Sequence, residues 1–149
     1  MFVVSVYYSG FYKRTNVSVY IPRGENGNIE LWIGVQRFHN QKTDKSPVDI
    51  KVYFDDKIFI DGNFDYNYDT CDQSHFFRFM LNTGNHTIKA VSDKGEAFVE
   101  KQFDVITNNT ITLAHWYYTE QDGEVGPSIP PSKSFDLRIE QGIRTFLCS

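Results

Sequence analysis

The sequence predicts an all-β protein, a single domain over residues 1–149 made of two packed antiparallel sheets with roughly nine to eleven short strands. Three observations carry this. Apolar residues recur at period two in one segment after another. Aromatics make up 16% of the chain, with 13 Phe and 9 Tyr, and such residues favour strands over helices. No segment repeats its apolar residues at helical spacing. A closed barrel has the same alternation and stays open as the alternative.

Taken in order, Phe2, Val4, Val6 and Tyr8 alternate with Val3, Ser5 and Tyr7, predicting a first strand. Val17, Val19 and Ile21 predict the second. Arg23 to Asn28 then turns the chain, and Asn26-Gly27 is the strongest hairpin signal it carries. Ile29, Leu31, Ile33 and Val35 form the next inward row, with Glu30, Trp32 and Gln36 opposite. His39 to Ser46 reads as a loop, and Pro47 suits the first position of a strand. Val48, Ile50, Val52 and Phe54 against Asp49, Lys51 and Tyr53 is the cleanest alternation, one face dry and the other wet. Asp55-Asp56 turns into a short strand, Lys57 to Ile60, and residues 61–73 read as an acidic, aromatic loop.

The centre, Ser74 to Val105, reads as three strands joined by two turns. Phe77, Phe79 and Leu81 share one face of the first, and Ile88 and Ala90 share one of the second. Ala97, Val99, Phe103 and Val105 share one of the third, interrupted by Lys101. Asn82 to Asn85 and Ser92 to Gly95 supply the turns, each with a glycine available for positive φ. Ile111, Leu113 and Tyr117 then share a face with His115, opposite Thr112, Trp116 and Tyr118. Residues 121–134 form an irregular connection. Phe135, Leu137 and Ile139 make a late strand, and Gln141-Gly142 turns it towards a short edge at Ile143 to Leu147.

Leu81-x-x-Gly84-x-His86-x-Ile88-x-Ala90-x-Ser92-x-x-Gly95 resembles a strand pattern of immunoglobulin-like and related bacterial β-sandwich modules. The resemblance covers about thirty residues at the centre of the chain. It implies a sandwich in a group whose members mostly bind, space or display, and it assigns no functional residue. Cys71 and Cys148 are not spaced as the core disulfide of the antibody type.

Composition bounds the partners. The net charge of -4, with Arg and Lys dispersed, disfavours nucleic acid and anionic membranes. No apolar run is long enough to span a bilayer. The start lacks the basic and apolar regions of a signal peptide, which predicts a cytoplasmic location by default, and a secreted or surface one if the chain has been trimmed. Two cysteines allow at most one disulfide; two free thiols are the ordinary reading. Sequons at Asn16, Asn85 and Asn108 acquire meaning only in a secreted eukaryotic protein.

Asp61, Asn63, Asp65, Asn67, Asp69 and Asp72 place oxygen donors at positions 1, 3, 5, 7, 9 and 12 of a calcium-type loop. Tyr66 stands where that loop needs glycine, and Asp72 where it needs the longer Glu. No cofactor is therefore expected. Ca2+ is the one candidate, with Asp61, Asn63, Asp65 and Asp69 as its ligands, and a solvated acidic loop is the plainer reading.

Trp32, Tyr53, Trp116 and Tyr118 fall opposite the apolar rows, as rings that could anchor a protein or stack on a sugar. If both sheet faces are covered, they are packing. His39, His75, His86 and His115 fall in no zinc-binding spacing, and no Gly-x-Ser-x-Gly or phosphate loop occurs. The expected function is a non-enzymatic interaction or assembly module for a protein partner. A glycan-binding module and a calcium-dependent adhesion module are the alternatives. A site assembled by the fold around His75, His86 or His115 would make it an enzyme.

Overall fold

The computed structural model describes residues 17–20, 27–36, 47–65, 74–118 and 132–142. Nine strands run through them: β1 (Val17–Val19), β2 (Ile29–Gln36), β3 (Val48–Phe54), β4 (Lys57–Phe64), β5 (Ser74–Phe79), β6 (Gly84–Ser92), β7 (Ala97–Val105), β8 (Asn109–Tyr118) and β9 (Ser132–Gln141). They form two sheets, ordered β1-β4-β3-β6-β7 and β5-β2-β8-β9. The protein is an all-β two-sheet sandwich, and no helix occurs among the described residues. The first strand, the His39 to Ser46 loop, the Ile143 to Leu147 edge and both cysteines lie outside them.

The inward rows are where alternation put them. Ile50, Val52 and Phe54 of β3 face Ile29, Leu31 and Ile33 of β2, all at most 1% exposed. Ile60, Phe64, Ile88, Ala90, Phe79, Ile111 and Leu113 are fully buried in the same core, with Phe135, Leu137 and Ile139 packed against it. Phe54 is its aromatic hub. Its ring lies 4.9 Å from Phe59, 5.0 Å from Phe79 and 6.2 Å from Phe103, mostly edge to face.

Pairing departs from the local signals at four places. No hairpin joins β1 to β2, because β1 pairs with β4 and β2 pairs with β5 and β8, in different sheets. Gly27 serves a close approach instead. A Cβ there would stand 2.6 Å from the carbonyl carbon and amide nitrogen of Phe79. The segment around Asn82 is likewise no hairpin turn but a crossover between sheets. The Asn28 side chain fixes it by donating to the Leu81 carbonyl and accepting from the Leu81 amide, both at 2.9 Å.

The third departure is β4, which runs on to Phe64 where a loop was expected from residue 61. Ile60 and Phe64 are fully buried with Gly62 buried between them, so the inward row continues through a residue with no side chain to reveal it. The fourth is orientation. β2 pairs with β8 in parallel, Ile29 opposite Asn109 through to Gln36 opposite Trp116, whereas every other pair is antiparallel.

Two smaller corrections concern loops. β9 starts at Ser132, so the end of the expected irregular connection is strand. The β6–β7 loop places Glu96, not Gly95, at positive φ (51°). Gly84, by contrast, does adopt positive φ (128°), with open space around it.

The two outer faces differ. On the five-stranded sheet the outer row of β7, Phe98, Glu100, Gln102 and Asp104, is exposed throughout. On the four-stranded sheet Glu30 is 3% exposed and ion-paired with Arg78, and Thr110 is equally buried.

Candidate functional site

The sequence-derived ring candidates are not brought together. Tyr53 lies on the outer face of the five-stranded sheet, half-buried beneath the Lys89 ammonium, which sits 4.6 Å from the ring centre. Trp32 and Trp116 lie on the outer face of the other sheet, across the sandwich, and both are half-buried. Trp32 packs against Phe76 at 4.6 Å with the rings tilted by 48°, in turn covered by Arg78. Tyr118 ends β8 opposite Ser132.

The described metal candidates lie in or beside an extended strand. Asp61 and Asn63 belong to β4, where Asp61 stands opposite Lys51. Alternate residues of an extended strand are about 6.6 Å apart along the chain, whereas a calcium loop must curl its alternate donors around one ion. Asp65 follows the strand, and Asp69 lies outside the described residues. Among the described residues no group of three His, Cys, Asp or Glu side chains converges as a metal site would.

The polar constellations that do form lie at the two ends of the sandwich. At one end stands His115, fully buried on the inward row of β8. Its Nε2–H donates to the Gly95 carbonyl (3.1 Å), and Phe135 meets its ring edge to face. Burial pushes its pKa down, against the Gly95 carbonyl and the Asp49 charge, so the ring is held neutral. Gly95 is needed for this contact: a Cβ there would stand 2.6 Å from Ser92 Oγ and 2.8 Å from His115 Cε1.

Ser92 and Asp49 sit beside this histidine, yet the trio is not wired for nucleophilic attack. Ser92 Oγ donates to Asp49 Oδ1 (3.2 Å) and accepts from the Gly95 amide (2.8 Å). A nucleophilic serine needs its proton directed at a base such as histidine. Here Asp49 also accepts from the amides of Asp93 (3.1 Å) and Lys94 (2.9 Å), which makes it the anchor of the β6–β7 loop.

At the other end stands His86, the histidine of the central motif. Its Nδ1 lies 2.6 Å from Asp55 Oδ2 and its Nε2 lies 2.7 Å from the Asn82 carbonyl oxygen. Asp55 and Asp56 form the two-residue β3–β4 turn, both at positive φ (50° and 63°), the geometry of a twisted hairpin that Asp tolerates. Asp55 Oδ1 also accepts from the Thr87 amide, at 2.9 Å. Burial opposes the His86 charge, but the Asp55 and Asn82 acceptors outweigh it and hold the pKa above the ordinary 6.5. Burial opposes the Asp55 charge too, and is outweighed by the His86 and Thr87 hydrogen bonds, so its pKa lies below 3.8. His75, the remaining described histidine, is pushed down by burial against the raising effect of Asp65.

The apolar side chains left in solvent went unremarked in the sequence: Phe98 (63% exposed), Ile106 (68%) and Met80 (50%). A signal existed for two of them. In the sequence Phe98 and Ile106 fall at even positions, out of step with the inward row of Ala97, Phe103 and Val105, although Ile106 lies in the bend after β7.

No family model, curated protein or solved structure matches this chain.

Proposed function

We propose that the protein is a non-enzymatic β-sandwich module that holds a protein partner on the outer face of its five-stranded sheet, along β7. The observation that carries this reading is the pair of exposed apolar side chains at the two ends of β7, Phe98 near its start on the outward row and Ile106 in the bend just past its end. A single exposed apolar residue is ordinary and needs no explanation. These two are eight positions apart, about 26 Å at strand rise, and an interface of about 800 Å² per partner is roughly 30 Å across. Both anchors therefore fit within one standard interface, with Glu100, Gln102 and Asp104 as the polar surface between them.

The disposition of the chemically capable groups supports the same reading. Ser92, Asp49, His86 and His115 are all engaged in holding loops. The resemblance of the His86 motif to immunoglobulin-like sandwiches, a group that mostly binds, points the same way. A glycan reading would need open, flat rings, and Trp32 is tilted against Phe76. A calcium-dependent adhesion reading would need a coiled donor loop where β4 is extended.

The test is capture of a partner from the native cell, followed by reconstitution with the purified partner. Phe98→Ser with Ile106→Ser is expected to weaken that complex about 100-fold, each anchor contributing on the order of 1–2 kcal/mol. The melting temperature should hardly move, since neither side chain is buried. Undiminished affinity of the double variant would refute the assignment of this face.

A further inference from the structure

We propose that His86 is a pH-operated latch: protonated, it ties the β3–β4 turn to the β5–β6 crossover, and deprotonated, it releases the crossover at the Asn82 carbonyl. The geometry carries this. Both ring nitrogens face acceptors at hydrogen-bonding distance, a carboxylate on Nδ1 and a backbone carbonyl on Nε2. A carboxylate and a carbonyl only accept, so both contacts are hydrogen bonds only when both nitrogens carry protons, that is, in the imidazolium.

Loss of one proton leaves one N–H for two acceptors. The charged carboxylate of Asp55 is the stronger acceptor and keeps it. Nε2 then presents a lone pair to the Asn82 oxygen 2.7 Å away, which is repulsive. The contact that opens is therefore the one to Asn82, whereas the turn stays tied to β6 by the Asp55–Thr87 pair of hydrogen bonds.

The groups around the ring agree with this division. Asp55 faces it from the β3–β4 turn, with Lys57 of β4 acting on Asp55 in turn. From β7 the opposing residue is Phe103, an uncharged ring 6.1 Å away. Its charged neighbours are Lys101, exposed and opposite Ile88, and Asp104, bonded to Asn85. Asp56 is paired with Lys89, and the crossover offers His86 only the Asn82 carbonyl.

The direction of the pH effect follows. The pKa of His86 is raised on folding, so its contribution is complete below 6.5 and is lost as pH rises through the folded value. The pKa of Asp55 is lowered, so its contribution is present above 3.8 and is lost as pH falls through the folded value. The latch is shut across the mildly acidic interval between these ordinary values and opens towards alkaline pH.

The test is an NMR titration of the full chain from pH 5 to 9, following the His86 ring and the amides of Thr83 and Gly84. The Thr83 amide shares its peptide group with the Asn82 carbonyl and reports on it directly. The expected result is a His86 midpoint above 6.5, with Thr83 and Gly84 titrating at the same midpoint. In His86→Gln that titration should vanish, because the amide has no proton to lose. Asp55→Asn, which removes the charged acceptor, should bring the His86 midpoint down. Crossover amides that stay still while the His86 ring titrates in the wild-type protein would overturn the latch. So would an unchanged titration of those amides in His86→Gln.

Discussion

Phe79→Asp is expected to abolish folding, and Ile50→Asp to do the same from the facing sheet. Both side chains are fully buried on inward rows, and the Phe79 ring meets Phe54 at 5.0 Å and Phe59 at 5.3 Å. Truncating such a ring costs about 3–5 kcal/mol through lost contacts and the cavity left behind. Leaving a carboxyl in that cavity without a partner adds several kcal/mol more. The sum is comparable to the whole stability of a typical domain, about 5–15 kcal/mol. Gln102→Asp, on the exposed outward row of β7, is the control and should change stability by less than about 0.5 kcal/mol. Thermal unfolding followed by circular dichroism separates these outcomes. A cooperative transition near that of the wild type in either core variant would mean the faces are reversed.

Gly27→Ala should be the most damaging of the small substitutions. The added methyl would meet three backbone atoms of Phe79, its carbonyl carbon and amide nitrogen at 2.6 Å. Backbone inside a sheet cannot swing aside as the end of a long side chain can. Replacing glycine by alanine ordinarily stabilises by up to about 1 kcal/mol through the unfolded chain, but only where the new residue fits without strain. Overpacking of this kind costs about 1–3 kcal/mol and outweighs that gain. The displacement also works against the adjacent Asn28–Leu81 hydrogen bonds. The expected fall in melting temperature is roughly 5–10 °C for a chain of this size. An unchanged or higher melting temperature would show that the approach to Phe79 is looser than described.

The same glycine shows where the fold was legible in the sequence and where it was not. Alternation located β3 in full, and its burial follows the pattern residue by residue. The inward rows of β2, β8 and β9 were legible for the same reason: each residue's face depends on its own strand alone. Pairing depends on partners far away. Asn26-Gly27 carries a strong turn signal, yet what the glycine satisfies is the backbone of Phe79, and no neighbouring residue encodes that. The parallel register of β2 with β8 has no local signature at all. Gly62 hid the last turn of alternation in β4, because a residue without a side chain reads as a break.

The candidate site was less legible, and for a related reason. His86 and Asp55 are 31 residues apart and meet only because β3 pairs with β6. Ser92, Asp49 and His115 come together across both sheets. Spacing arguments applied to Asp61, Asn63 and Asp65 assumed a coil, and the buried Phe64 holds that segment extended instead. Phe98 could have been noticed, since its parity on β7 was wrong for a core residue.

The chain crosses between sheets where its local signals suggest hairpins, and this decides which side chains share a face. Backbone nuclear Overhauser effects in the full chain test it most directly. The expected result is the parallel pattern of amide-to-α contacts between Leu31–Ile33 and Ile111–Leu113, with contacts between Val17–Val19 and Ile60–Gly62. Close α-to-α contacts between Val17–Val19 and Ile29–Leu31, the mark of a hairpin closed by Asn26-Gly27, would contradict it.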